Sequence, residues 1–463
     1  MARCAFGLGL AFVALGAFPS TASAQTLLDA LSSAYTNNPS LNAARAQLRS
    51  TDESVGIAKS QGRPQISASV SASSGGTDFR SAFTRPTRSV FADSHSTNLS
   101  LEIVQPLYAG GRISNGIGRA EAFVRAKREV LRNTEQDVLF DASQAFMEVI
   151  RDSALVSLRE SNQRFLSEQV RAARDRFQVG EGTRTDVAQA EARLQEAVAQ
   201  VNAARANLNT SRAIYRQVIG SDPKKLNPAS PVEKLIPKSL DDAMGRAQRE
   251  HPGILASIHN VDAAMLNVKI AEGALLPTVS LSGSVTQSWT GGESATSTNF
   301  STNRQVGVRA SIPLYQGGGE YAEIRKAKED LGDARIQVDV VRDRVRAGVV
   351  TAWGQLQSAT ASIAAARAQV EASQLALNGV IEEQRVGQRT TLDVLNAQSE
   401  LVNARVQLVQ AETNRVIAAF GVVSATGRLN SEAMTLKVAH YNPVEHYEAV
   451  TDKWIGLRTP DGR

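Results

Sequence analysis

The chain has 463 residues, of which 42% are hydrophobic and 5% aromatic, and its formal net charge is +5. Length alone allows about three ordinary domains, but a chain rich in Ala, Gln, Arg, Glu, Ser and Val and poor in aromatics suits long helices with alanine-lined seams better than bulky globular cores. Basic residues alternate with acidic ones, as from Arg171 to Arg176, which is the pattern of solvated helix faces and not of a nucleic-acid stripe.

Residues 1–24 read as a secretory signal peptide: Arg3, an apolar run from Ala5 to Phe18, then Ala22-Ser23-Ala24 as the cleavage site. The mature chain is expected to begin near Gln25. Cys4, the only cysteine, leaves with the signal, so no disulfide, thiolate nucleophile or cysteine metal ligand is expected. No later apolar run approaches the length of about 18 residues that a membrane helix needs. A membrane segment, if there is one, must consist of strands.

From Leu27 to about Gln61 the apolar spacing is helical, interrupted at Asn38-Pro39 and ended by Gly62-Arg63-Pro64. The period then becomes two. Ile66, Ala68, Val70 and Ala72 alternate with Ser67, Ser69, Ser71 and Ser73; after a Gly/Ser/Asp/Arg loop, Leu99, Leu101 and Ile103 alternate with Asn98, Ser100 and Glu102. This predicts a β-hairpin over 65–105 with one apolar and one small polar face. Ile113 to Gln178 carries no proline, and such a helix is roughly 100 Å long at 1.5 Å per residue, so it must pack along its sides. It stops at a reversal over 180–183, with Gly180 and Gly182 as turn residues. Beyond it Val187, Ala190, Leu194, Ala197, Val201, Ala204, Leu208, Ser211, Tyr215 and Val218 step by three and four, as an a/d seam does.

Residues 220–239 hold Pro223, Pro228, Pro231 and Pro237 and read as a linker. The programme then repeats. His251-Pro252 follows Asn38-Pro39 by 251 − 38 = 213 residues, and Leu276-Pro277 follows Arg63-Pro64 by the same 213. A second hairpin is expected over 278–312, with strands at 278–289 and 305–312, then a helix from about Glu320 to Arg385. A second reversal over 387–390, with Gly387 in its turn, leads into a seam at Val394, Ala397, Leu401, Ala404, Leu408 and Ala411, broken at Arg415. The two repeats, 25–219 and 240–430, make a tandem duplication; residues 431–463 read as a mixed polar tail. The shorter helices can lie end to end along a long one, with both β-hairpins at one pole and both reversals at the other.

Four strands are too few to close a membrane barrel, for which about eight is the practical minimum. Either copies of the chain share one barrel or the strands form a soluble sheet. In the shared barrel Ser67, Ser69, Glu102 and Arg309 line water. Thr183-x-x-Asp186 and Thr390-x-x-Asp393 read as capping boxes. His95, His251, His259, His440 and His446 have no metal-ligand spacing. No nucleophile-base signature or phosphate loop is present, and the chain reads as a non-enzyme without a cofactor or metal.

The ordered set Asn38-Pro39, Arg63-Pro64-Gln65, Phe177-x-Val179-Gly180, Thr185-Asp186-Val187 and Val386-Gly387 to Asp393-Val394-Leu395, within the duplication, resembles the TolC family of outer-membrane channel-tunnels. The resemblance implies a mixed α+β membrane protein in which long antiparallel helices form a periplasmic α-barrel. Each chain of a homotrimer would give four strands to a twelve-stranded outer-membrane β-barrel. The chain would then be the exit duct of a tripartite efflux pump or type I secretion system, docked to a periplasmic adaptor and an inner-membrane transporter of the RND or ABC type, with outer-membrane lipid around the barrel. The reversals would form a periplasmic iris. By resemblance Asp393 supplies a carboxylate ring, Asn396 stands where the family often has a second aspartate, and Arg389 is a gate latch reaching towards Thr185 and Asp186. The family's tyrosine partner falls at Gln384. The competing reading is a trimeric coiled-coil surface or adhesin-stalk protein with no conducting pore.

Overall fold

Proline and glycine cut the chain into the expected pieces. The computed structural model describes residues 25–80, 89–227, 232–291 and 299–462; the proposed signal peptide with Cys4, and Pro228 and Pro231 of the linker, lie outside them. Helix α1 (Leu27–Asn37) ends at Asn38, whose side chain caps α2 (Pro39–Ser60) by accepting from Ser40 N and Leu41 N. The hairpin β1 (Gln65–Arg80) and β2 (Ser89–Ala109) follows, then α3 (Arg112–Gln178) and α4 (Arg184–Ile219). The second repeat has α5 (Leu240–Glu250), α6 (Pro252–Glu272), β3 (Thr278–Gly291), β4 (Asn299–Ser311), α7 (Gly319–Arg385) and α8 (Thr391–Ala425). A short α9 (Glu445–Thr451) closes the chain.

The strands outrun the alternation that revealed them. Gly75, Gly76 and Thr77 pair with Ser94, Asp93 and Ala92 where a loop was expected. Ladder hydrogen bonds need backbone groups, not apolar side chains, so pairing continues after the period-two signal fades. At the other end β2 runs past 105 through a register shift between Pro106 and Tyr108, because proline has no N–H to give the ladder. The sheet order is β1-β2-β3-β4, antiparallel throughout, so the repeats are joined directly by the β2–β3 ladder.

Register sorts the faces. Ile66, Ile103, Gly283 and Val306 align on one face, with Ala68, Leu101 and Val285 in the next row. Ser67, Glu102, Ser284 and Gln305 align on the other, and Arg309 is on that polar face, opposite Ser280. Arg304, opposite Val285, is the exception on the apolar face. Most of the apolar side chains on that face are exposed in the single chain, Ile66, Val70, Val306 and Val308 among them.

Helix α4 packs along the tip-ward part of α3, while α2 and α6 pack along its strand-ward part; α8 packs on α7 and also touches α3 and α4. The seams close as their spacing requires: Ala190, Ala197, Val201, Leu208, Ser211 and Tyr215 are buried in α4, and Val394, Leu401, Ala404, Ala411, Ala418 and Val422 in α8. The largest core lies between the poles. Leu27, Leu31 and Tyr35 of α1, Leu41 and Leu48 of α2, Phe146 of α3, Tyr215 of α4 and Phe420 of α8 meet there with Val232, Leu429, Met434 and Leu436. Each large side chain in it is stabilised by about 1.5–3 kcal/mol relative to exposure. The linker and C-terminal segment thus form an equatorial layer in which both repeats are anchored.

Candidate functional site

The two reversals are built alike by local chemistry. At the first, Gly180 N donates to Phe177 O and Glu181 N to Arg176 O; at the second, Gly387 N donates to Gln384 O and Gln388 N to Glu383 O. These paired bonds satisfy the last carbonyls of each long helix and place a left-handed residue just beyond its end. Gly180 has φ +81° and Gly387 φ +80°, a conformation costing L side chains roughly 1–2 kcal/mol. A Cβ on Gly182 would lie 3.3 Å from Phe177 N, a tight contact that a larger residue relieves only by a small shift of the backbone.

Each following helix starts on a reciprocal capping box, as its sequence indicates. Thr183 Oγ1 accepts from Asp186 N at 3.1 Å, and Asp186 Oδ2 accepts from Thr183 N at 3.1 Å. Asp393 Oδ2 accepts from Thr390 N at 2.9 Å and from its hydroxyl at 2.8 Å. The backbone N–H and hydroxyl of Thr390 hold the Asp393 carboxyl below the usual aspartate range. Asp393 is half-buried and Asn396 exposed, on the same first turns of α8.

Within the single chain the polar contacts of the residues expected at the latch are local. Arg389 Nε donates to Glu383 Oε2 at 2.8 Å, inside its own hairpin. No hydrogen bond or ion pair joins it to Thr185 or Asp186 among the described residues: Thr185 is exposed and the Asp186 carboxylate is engaged in its cap. Gln384 Nε2 donates to Thr391 Oγ1 at 3.3 Å, again within the hairpin. The groups that join the two hairpins are others. Arg193 Nη2 of α4 donates to Asn396 Oδ1 of α8 at 3.3 Å, Gln398 Nε2 of α8 donates to Asn162 Oδ1 of α3 at 3.0 Å in a buried setting, and Leu395 enters the α3–α4 seam among Leu166, Val170, Ala190 and Ala197. The only sequence cue for these was position: Leu395 directly follows the seam residue Val394, so it faces the neighbouring helix pair.

At the opposite pole the four expected lumen residues share the polar face of the sheet. Glu102 pairs with Ser67 and Ser284, Ser69 pairs with Ser100, and Ser100 Oγ is 3.2 Å from Thr286 Oγ1. Among the described residues no cluster of three or more His, Cys, Asp or Glu is disposed to hold a metal, and no helix is long and apolar enough to cross a membrane.

A sheet with one apolar and one polar face, standing on a pair of 67-residue helices that reverse at glycine tips, defines a subunit of an outer-membrane channel that extends into the periplasm. The chain belongs to the outer membrane efflux protein family, whose model matches residues 30–221 and 243–428. It is 49% identical over 442 residues to the outer membrane efflux protein BepC of Brucella suis biovar 1, covering 95% of this chain and 93% of that one. It is 25% identical to the outer membrane protein TolC of Escherichia coli, over 91% of this chain and 86% of that one. Identity to the alkaline protease secretion protein AprF of Pseudomonas aeruginosa is 27%, over 75% and 73% of the two chains. Among solved structures, the CmeC outer membrane channel of Campylobacter jejuni superimposes with a TM-score of 0.73 at 16% identity, over 92% of this chain and 89% of that one.

Proposed function

We propose that three copies of this chain close one barrel of twelve strands, three times the four of each copy, and that their helices form a continuous periplasmic duct for exported cargo. The observation behind this assembly is the open sheet. Among the described residues strands β1 and β4 each have one partner strand, and unpaired strand edges are not tolerated in lipid. Closing the sheet on further copies pairs both edges, turns Ile66, Val70 and Val306 to the acyl chains and encloses Ser67, Ser69, Glu102 and Arg309 around water.

The periplasmic end is closed by the seating of the α7–α8 hairpin on α3–α4 through Leu395, Arg193–Asn396 and Asn162–Gln398. Untwisting this pair opens the duct. Asp393, repeated on the threefold axis, presents carboxylates that attract cations; Asn396 adds no charge but supplies the acceptor for Arg193. Arg389 braces its own reversal through Glu383 and on that geometry steadies the tip. A periplasmic adaptor and an inner-membrane transporter of the RND or ABC type dock at the tips and supply the energy. The names of BepC, an efflux protein, and AprF, a protease secretion protein, support a role in either efflux or protein secretion.

Single-channel recording in planar bilayers, wild type beside Asp393→Ala, tests the assignment. Small cation-selective steps with divalent block that weakens in the variant are expected. Identical steps in the two proteins would return Asp393 to helix capping alone, and a folded protein with no steps would favour the stalk.

A further inference from the structure

The C-terminal segment climbs α2 in step with it. His446 Nδ1 lies 3.1 Å from Asp52 Oδ2, and Tyr447 packs on the Val55 cluster. One turn further Lys59 Nζ reaches Asp452 Oδ1 at 2.7 Å, and Arg63 Nη1 donates to the Lys453 carbonyl at 2.9 Å. Both stretches therefore arrive together at the foot of β1. There the Arg63 guanidinium lies over the Trp454 ring, 4.5 Å from its centroid. Lys453 Nζ donates to the Arg458 carbonyl at 2.6 Å, which closes residues 454–457 into a short loop.

That loop carries three large apolar side chains and covers none of them. Trp454 is 67% exposed, Ile455 91% and Leu457 fully. Ile66, where the apolar face of β1 begins, is three residues beyond Arg63, about 10 Å at roughly 3.4 Å per residue. Tyr108, Leu314 and Tyr315, at the same end of the sheet, are also exposed. Aromatic side chains beside aliphatic ones, flanked by Lys and Arg, are the composition of a membrane interface.

We propose that residues 453–458 are a lipid-interface anchor: Trp454, Ile455 and Leu457 enter the periplasmic leaflet of the outer membrane beside the barrel foot, while Lys453 and Arg458 meet its phosphate headgroups. Lipid is the occupant because the loop continues the apolar sheet face, which must itself meet acyl chains, and because its flanking charges are basic and complement anionic headgroups. Asp452, the nearest acid, is paired with Lys59. The anchor ties the equatorial layer to the membrane through α9 and α2, so that movement at the tips turns about a fixed collar.

The test leaves Trp454 as the sole tryptophan of the full-length protein by Trp289→Phe and Trp353→Phe, then reconstitutes it in phosphatidylethanolamine–phosphatidylglycerol vesicles whose acyl chains carry bromine near the headgroup or near the chain end. Blue-shifted Trp454 emission, lost to shallow bromine and largely retained with deep bromine, is expected. Adding Ile455→Glu and Leu457→Glu should abolish the bromine quenching and shift the emission to the red without changing the helical circular dichroism. Emission indifferent to bromine overturns the proposal. If acrylamide quenches it the loop lies in water, and if acrylamide does not, a neighbouring copy of the chain covers it.

Discussion

Leu395→Ala probes the proposed closure of the duct at its hydrophobic contact. Leu395 is 1% exposed, and it is the α8 residue in the cluster formed by Leu166, Val170, Ala173, Ala190 and Ala197 of the other hairpin. Truncation removes three carbons, worth about 0.8 kcal/mol each when buried, and leaves a cavity, so the seated arrangement loses roughly 2–3 kcal/mol, at the low end of buried Leu→Ala costs. If the hairpins separate on opening, that loss bears on the closed state alone. At about 1.4 kcal/mol per factor of ten it shifts the closed–open balance by roughly 30- to 140-fold. In planar bilayers the variant should show more frequent or larger openings at the same voltage. Leu375→Ala, at a side chain 75% exposed on α7, is the control and should behave as wild type. A Leu395→Ala protein that melts earlier but conducts like wild type would refute the reasoning, since Leu395 would then stabilise the fold without bearing on the gate.

Arg193→Ala and Asn396→Ala remove the same interhairpin hydrogen bond, so either should raise conductance and the double variant should add little more; additive effects in the recordings would separate the two residues. Gly387→Ala places a side chain at φ +80° with open space around it, and only backbone strain of about 1–2 kcal/mol should register as a lower thermal midpoint. Tyr215 is fully buried and its hydroxyl has no hydrogen-bond partner among the described residues, so Tyr215→Phe should leave stability unchanged or raise it by up to about 1 kcal/mol in thermal melts. The Asp393 carboxyl is held below its ordinary range by the Thr390 cap. A depressed carboxylate stabilises fully above the unfolded value of about 4 and loses that contribution as pH falls through the folded one. The stability advantage of wild type over Asp393→Asn should therefore narrow on acidification below about pH 4. A wild type that gains on the variant as pH falls would mean that repulsion among neighbouring carboxylates outweighs the cap.

What neighbouring residues impose on one another was legible from the chain alone. Both capping boxes, both glycine reversals, the proline breaks and the a/d seams depend on residues a few positions apart, and all are present in the structure. The period-two alternation also separated the faces of the sheet correctly, placing Ser67, Ser69, Glu102 and Arg309 together, because side chains on a strand can only point to one side or the other. The signal weakened where local chemistry did not vary with structure. The strand ends at Gly75–Thr77 extend because backbone pairing is indifferent to side-chain pattern.

Tertiary structure alone decided which surfaces meet. Asn396 finds Arg193 across 203 residues of sequence, Gln398 finds Asn162 across 236, and Asp52 finds His446 across 394. Arg389 takes as its partner within the chain an acid six residues back in its own hairpin, Glu383. The joining of the repeats through the β2–β3 ladder and the ascent of the C-terminal segment along α2 are likewise long-range. No periodicity encodes them, because a helix or strand pattern specifies which side of an element is apolar and not which other element will cover it.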